Sequence, residues 1–153
     1  MIADLQCVVL DCAEPLELAG FYRSLLGGAV NQEDRRWAVG EEWATLHTPS
    51  GLVLAFQRVR PYQPPRWPDP SRPQQFHLDF GVPDLDQAQE RAVASGATPL
   101  YDGADERSWS ILADPGGAPL LPGPALGTGG REQGRGRYGE PDGAAVPPPV
   151  QDE

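Results

Sequence analysis

Two stretches of this chain spell out one pattern about 70 residues apart, and a duplication of that length leaves few folds open. In the first, Leu5 to Asp11 is rich in Val and Leu and reads as a strand. Ala13, Glu14 and Pro15 then open a helix, with an acid near its N-terminus and proline in its first turn. Leu16, Ala19, Phe21, Tyr22, Leu25 and Leu26 recur near helical spacing until Gly27 and Gly28 stop it. Three short apolar segments follow, Arg36 to Val39, Trp43 to His47 and Leu52 to Val59, divided by turn-forming residues such as Thr48-Pro49-Ser50-Gly51. The order is βαβββ.

The second stretch repeats it. Gln75 to Val82 alternates in period two, with Phe76, Leu78, Phe80 and Val82 on one face and His77, Asp79 and Gly81 on the other. Asp84-Leu85-Asp86 opens a helix that stops at Ser95-Gly96. Strand-like Thr98 to Tyr101 and Arg107 to Leu112 come next, and Asp114-Pro115-Gly116-Gly117 makes a hairpin turn. Cys7 and Glu14 correspond to His77 and Asp84 at one offset. The simplest account is an α+β domain of two βαβββ modules over residues 1–121: module one 1–60, a Pro/Trp loop 61–73, and module two 74–121.

Composition bounds the rest. Fourteen of the 36 Gly and Pro residues lie after Leu121, and residues 122–153 hold almost no large aliphatic side chains, so we expect a disordered tail there. Lys is absent, and the 12 cationic residues are all Arg against 22 acids, a net charge of −10. A chain so acidic lacks the clustered cations that a nucleic-acid backbone or an anionic membrane surface demands, which argues against both partners. No run of 18 apolar residues occurs, the N-terminus carries an acid where a secretory signal would be basic, and a cytoplasmic location is expected. Cys7 and Cys12 fall on opposite faces of one strand, so they should not pair, and two Cys with two His give no zinc-type spacing.

The segments VVLDCAEPLELAGFYRSLLGG, PPRWPDPSRPQQFHLDFGVPDLDQA and ILADPGG resemble the vicinal oxygen chelate superfamily, the glyoxalase, bleomycin-resistance and dioxygenase relatives, in its glyoxalase-like branch common in Arg-rich, Lys-poor actinobacterial proteomes. The resemblance spans roughly residues 3 to 120. It implies two βαβββ modules curved around a shared small-molecule cleft, frequent dimerisation through sheet edges, and often a divalent metal held by the first and last strands of each module. Those ligand positions fall on Cys7, Ala55, His77 and Leu121. Only His77 is a conventional donor, and a divalent ion needs about three, so no metal residue is assigned and a metal would have to recruit Gln57 or Asp79.

His77 is the first candidate side chain. A lone His on a strand is commonly a hydrogen-bonded structural residue, but its face is opposite the apolar one, and Asp79 shares it, as a base with an orienting carboxylate requires. A salt bridge to an Arg is the plain alternative for Asp79. Cys7 reads first as a small packed residue, since no flanking cation would activate its thiol. Asp11 shares the face of Cys7 and would line the cleft mouth. Pro61 to Pro73, with six prolines around Trp67, is too stiff for a helix or central strand and reads either as a linker or as an aromatic rim of the cleft. Pro119 and Pro122 bracket only two residues, so the last strand should be short or at an edge.

These readings imply a glyoxalase-like binding protein with a degraded metal site that sequesters a hydrophobic or aromatic compound through Cys7, Asp11, Gln57 and Trp67 beside His77 and Asp79. The alternative is a lyase, isomerase or dioxygenase-type enzyme that uses His77 with an unconventional divalent metal site. A homodimerising interaction module is the third.

Overall fold

The computed structural model describes Ile2, residues 4–37, 39–74, 76–101 and 110–124. Module one opens with β1 (Val8–Cys12), α1 (Pro15–Leu26) and β2 (Ala29–Val30), and closes with β3 (Trp43–His47) and β4 (Val53–Arg58). Module two contains β5 (Leu78–Val82), α2 (Leu85–Ala94), β6 (Thr98–Tyr101), β7 (Ile111–Ala113) and β8 (Pro119–Pro124). β1 and β5, like the two helix starts, are displaced by the same 70 residues that the sequence pattern predicts. The first sheet runs β1-β4-β3-β2 and the second β5-β8-β7-β6, with β1 parallel to β4 and β5 parallel to β8. Each module therefore returns its last strand beside its first.

Local chemistry sets the helices. Pro15 sits in the first turn of α1, and Gly27, at φ +71°, closes it with its N–H on the Arg23 carbonyl at 2.8 Å. Asp84 caps α2 by accepting from the Gln87 N–H at 2.9 Å. Glu14, at the equivalent position, makes no cap; its carboxylate pairs with Arg58 at 2.8 Å instead. Gly28, at φ +95°, approaches the His47 carbonyl so closely that any Cβ would collide with it.

The helix faces of both sheets form one core. Leu10, Cys12, Ala44, Leu46, Leu54 and Phe56 meet Leu18, Ala19, Phe21 and Tyr22 of α1, and the cluster continues into Ala92, Leu112 and Leu120 of module two. Leu18 belongs to the buried face, whereas Leu16, expected there from spacing, is 63% exposed. Tyr22 ties the modules together: its ring stacks on Phe56 at 5.6 Å, lies 6.5 Å from Phe80, and its hydroxyl donates to Asp114 Oδ2 at 2.7 Å.

Three expectations need correction. The described residues of the segment Arg36 to Val39 form no strand; β2 is the two-residue Ala29–Val30, and the chain beyond it touches β3 only through Asn31, which donates to the Thr45 carbonyl, and through an isolated bridge from Gly40 to Trp43. The last strand is neither short nor at an edge, because β8 spans six residues between β5 and β7. Its prolines are tolerated because the ladder to β7 pairs only Leu120 and Pro119; beyond them Pro122 needs to accept but not donate, and it takes the Ser110 N–H at 3.2 Å. The strand also runs through Pro124, past the composition boundary at residue 121; residues 125–153, the bulk of the expected tail, lie outside the described residues. Arg107 to Trp109, expected to begin the strand that is now β7, are outside them too.

Candidate functional site

Register decides which side chains face away from the helices. On β1, Leu10 and Cys12 enter the core, so Cys7, Val9 and Asp11 take the opposite, inner face. Asp11 pairs with Gln57 and Gln57 with Trp43, which lays an Asp-Gln-Trp row across three strands. On β5, Leu78 and Phe80 pack on the core and His77 and Asp79 point the other way. The sequence-derived pairing of these two holds in space: His77 Nε2 lies 3.4 Å from Asp79 Oδ1. Both side chains are open, at 38% and 55% exposure.

The modules meet at a seam between β1 and the start of module two. A cavity of about 570 Å³ lies there, walled by Val9 and Asp11 on one side and by Arg72, Gln74 and Phe76 on the other. Gln74, a residue no sequence signal marked, connects this cavity to the His-Asp pair, with its Nε2 3.5 Å from His77 Nδ1. Gln74 Oε1 is buried without a partner among the described residues. An acceptor in that position suits a ligand N–H or O–H.

The Pro/Trp loop is a partition. Tyr62, Pro64, Pro65 and Asp114 line the seam cavity and also a second one of about 730 Å³ on the other side of the loop. Trp67 faces that second cavity, beside Glu14 and Glu17 of the α1 start and the turn after Asp114. The residues proposed as one site are thus divided: Asp11 lines the seam, Gln57 and Cys7 extend its inner face, His77 and Asp79 border it through Gln74, and Trp67 is across the loop.

Asp114 is the electrostatic centre of the partition. It is buried at 3% exposure, and burial pushes its carboxyl above the usual aspartate range against the pull of the hydrogen bonds from Tyr22 and the turn amides. Oδ1 accepts from the Ala118 N–H at 2.9 Å and Oδ2 from the Tyr22 hydroxyl of module one, so the Asp-Pro-Gly-Gly text that reads as a turn also supplies the lock between modules. Burial raises the Tyr22 phenol well above its ordinary value, with the Asp114 charge adding to it, and lifts Tyr62 to about 12. The Tyr62 hydroxyl donates to the Gly116 carbonyl at 2.6 Å, which fixes the loop on the turn.

The donor set does not fit a divalent metal. The positions where the family resemblance puts ligands hold Cys7, Ala55, His77 and Leu121; Ala55 is 0% exposed, and neither it nor Leu121 offers a donor. Among the described residues no group of three His, Cys, Asp or Glu side chains comes together. Cys7 and Cys12 are both free, and burial raises the Cys12 thiol to about 11. No helix among the described residues is long and apolar enough to cross a membrane.

Two βαβββ modules with helix-free inner faces and a seam between β1 and the start of the second module define a class of paired-module α+β proteins built around a shared cleft. Residues 7–121 match the model of the glyoxalase-like domain, and the chain belongs to that family. No curated protein matches it. Its fold is similar to that of the hypothetical protein SA1046 from S. aureus (12% identity, TM-score 0.58, covering 82% of this chain and 100% of that one). The fosfomycin resistance protein FosX from Listeria monocytogenes is also similar (11% identity, TM-score 0.58, 82% and 95% covered), as is a glyoxalase-related enzyme from Fulvimarina pelagi (22% identity, TM-score 0.50, 78% and 88% covered). One FosX structure is complexed with Mn(II) and dihydroxypropylphosphonic acid. At these identities the likeness establishes the fold.

Proposed function

We propose that this protein binds a small hydrophobic or aromatic molecule at the seam and acts by holding it rather than by metal-dependent chemistry. The observation that carries this reading is the donor set: Ala55 and Leu121 stand where ligands would be needed, while Asp11 and Gln74 line the cleft, with Gln57 the ladder neighbour of Asp11 and His77 beside Gln74. Those groups can orient a ligand by hydrogen bonds while Val9 and Phe76 supply apolar wall, the usual division of labour in a binding pocket. One observation favours a second reading, an isomerase or lyase that moves a proton: the His77–Asp79 pair is a base with its orienting carboxylate.

Thermal-shift screening of the full chain, followed by titration of each hit against His77→Ala and His77→Phe, tests the first reading. Loss of a ligand hydrogen bond should weaken binding by about 1–3 kcal/mol. Equal affinity for wild type and both variants would remove His77 from the site. Trp67→Phe reports which side of the loop a hit occupies, because only ligands in the 730 Å³ cavity touch that indole. Stoichiometric metal in protein purified without chelator, lost in His77→Ala, would replace the binding reading with the enzymatic one.

A further inference from the structure

The larger of the two cavities lies across the Pro/Trp loop from the seam. It opens between the start of α1, that loop and the turn joining β7 to β8, and encloses about 730 Å³. Leu18, Pro64 and Leu100 give it apolar wall, and Tyr62 and Trp67 give it aromatic wall. Two contacts fix its shape: the Tyr62 hydroxyl donates to the Gly116 carbonyl at 2.6 Å, and Arg58 holds Glu14 at the start of α1 at 2.8 Å.

Its charge is one-sided. Glu14, Glu17 and Asp114 line it, and Arg66 is the one cation among the described lining residues. Glu14 is neutralised by Arg58, and Arg66 is exposed at the rim, in a turn with Asp69, whose N–H donates to the Arg66 carbonyl at 2.6 Å. Glu17 and Asp114 remain. Asp114 is only 3% exposed, and no ion pair reaches its carboxylate among the described residues. A buried charge ordinarily has an opposite charge beside it.

Asp114 lacks a counter-charge but not hydrogen bonds. Oδ2 accepts from the Tyr22 hydroxyl, Oδ1 accepts from the Ala118 N–H, and the amides of Gly116 and Gly117 also donate to the carboxylate. A carboxylate has about four lone-pair sites, so this one offers negative charge and no free acceptor. A primary ammonium or a metal ion would have to displace a donor that holds the turn or joins the modules. A quaternary ammonium needs charge and no hydrogen bond, and its methyl groups pack on aromatic faces.

We propose that this cavity is a binding site for an organic quaternary ammonium cation, seated on the Trp67 ring in the field of Asp114 and Glu17. Trp is the aromatic side chain that such a cation prefers, and Tyr62 supplies a second ring. Asp114 acts through space, and the exposed Glu17 draws the cation to the mouth. On the seam side Arg72 stands across from Asp11 and opposes a cation there.

Choline is the probe, and 3,3-dimethylbutan-1-ol, the same shape with carbon in place of the charged nitrogen, is its control. Calorimetric titration of the full chain at pH 8 gives affinity. The indole N–H resonance of Trp67 in nitrogen-15-labelled protein, assigned with Trp67→Leu, gives position. Choline is expected to move that resonance and to bind at least about tenfold more tightly than the alcohol. Trp67→Leu should weaken choline binding about tenfold, and Glu17→Gln about threefold with the alcohol unaffected. Asp114→Asn should bring choline down to the affinity of the alcohol. If that variant does not fold, Trp67→Leu and Glu17→Gln decide, because both side chains are outside the core. The proposal is overturned if the alcohol binds as well as choline, if the Trp67 resonance does not respond to choline, or if Trp67→Leu and Glu17→Gln both bind choline as the wild type does.

Discussion

Tyr22→Phe removes one oxygen from the point where the two modules join, and the structure fixes what that oxygen does. Its hydroxyl donates at 2.7 Å to a carboxylate that is 3% exposed, while the ring keeps its contacts with Phe56 and Phe21 at 5.6 and 5.2 Å. The packing survives the substitution and the hydrogen bond does not. A bond to a charged buried acceptor contributes about 1.5–3 kcal/mol, and for a body of this size that is a fall in Tm of roughly 5–15 °C. The pH dependence isolates the cause. Burial already raises the folded pKa of Asp114 above its ordinary 3.8, so the wild type loses stability as pH rises through 3.8 and levels off above the folded value. Removing the Tyr22 donor raises that folded value further. The deficit of Tyr22→Phe should therefore be largest above the folded value and shrink as pH falls through it toward 3.8, as Asp114 takes up its proton and no longer needs the donor. Urea titrations of both proteins across that range measure it. A deficit that is constant with pH, or below about 0.5 kcal/mol throughout, would refute the assignment of Tyr22–Asp114 as a charge-assisted lock.

Three further outcomes follow from the same geometry. At pH 8 one thiol per folded chain should react promptly with a disulfide reagent, and Cys7→Ser should remove that reaction, because Cys12 is buried and its thiol is raised to about 11. Gly28→Ala should destabilise by more than about 2 kcal/mol in a denaturant titration, since φ +95° and the His47 carbonyl both exclude a Cβ; a smaller loss would mean that β2 and β3 do not meet there. A chain ending at Leu121 should melt at least about 3 °C below one ending at Pro124, because the longer one keeps the buried Pro122 and its bond to Ser110; equal melting would show that the end of β8 adds nothing.

The fold was legible because duplication and periodicity are local signals. Glu14-Pro15 and Asp84 mark two helix starts, alternation from Phe76 to Val82 marks β5, and the common offset ties them into equivalent modules. What failed was whatever depends on a neighbour. Arg36 to Val39 has strand-like composition, yet Arg36 and Trp37 are taken by Asp34, Gln6 and Trp43, contacts that no spacing announces. Pro119 and Pro122 argued against a central strand, and only the short β7 ladder explains why they are allowed in one. His77 and Asp79 were paired correctly because residues two apart on a strand must share a face. Trp67 was placed at their cleft because a loop joining two modules looks like a rim, and nothing in the sequence says that this loop stands between two cavities.

The distribution of polar atoms over the inner face bears on what it binds. A metal centre concentrates its donors at one point, within about 2–2.5 Å of an ion. Here the polar groups lie in rows: His77 and Asp79 along β5, Asp11 and Gln57 across β1 and β4, and Trp43, Thr45 and His47 along β3. Adjacent strands are about 4.8 Å apart, so Asp11 and Trp43, two strands from each other with Gln57 between them, stand about 10 Å apart. That is the breadth of a fused ring system and several times a metal–ligand bond. Rows of hydrogen-bonding groups between apolar and aromatic surfaces suit the edge of a flat molecule, which agrees with the ligand class proposed for the seam.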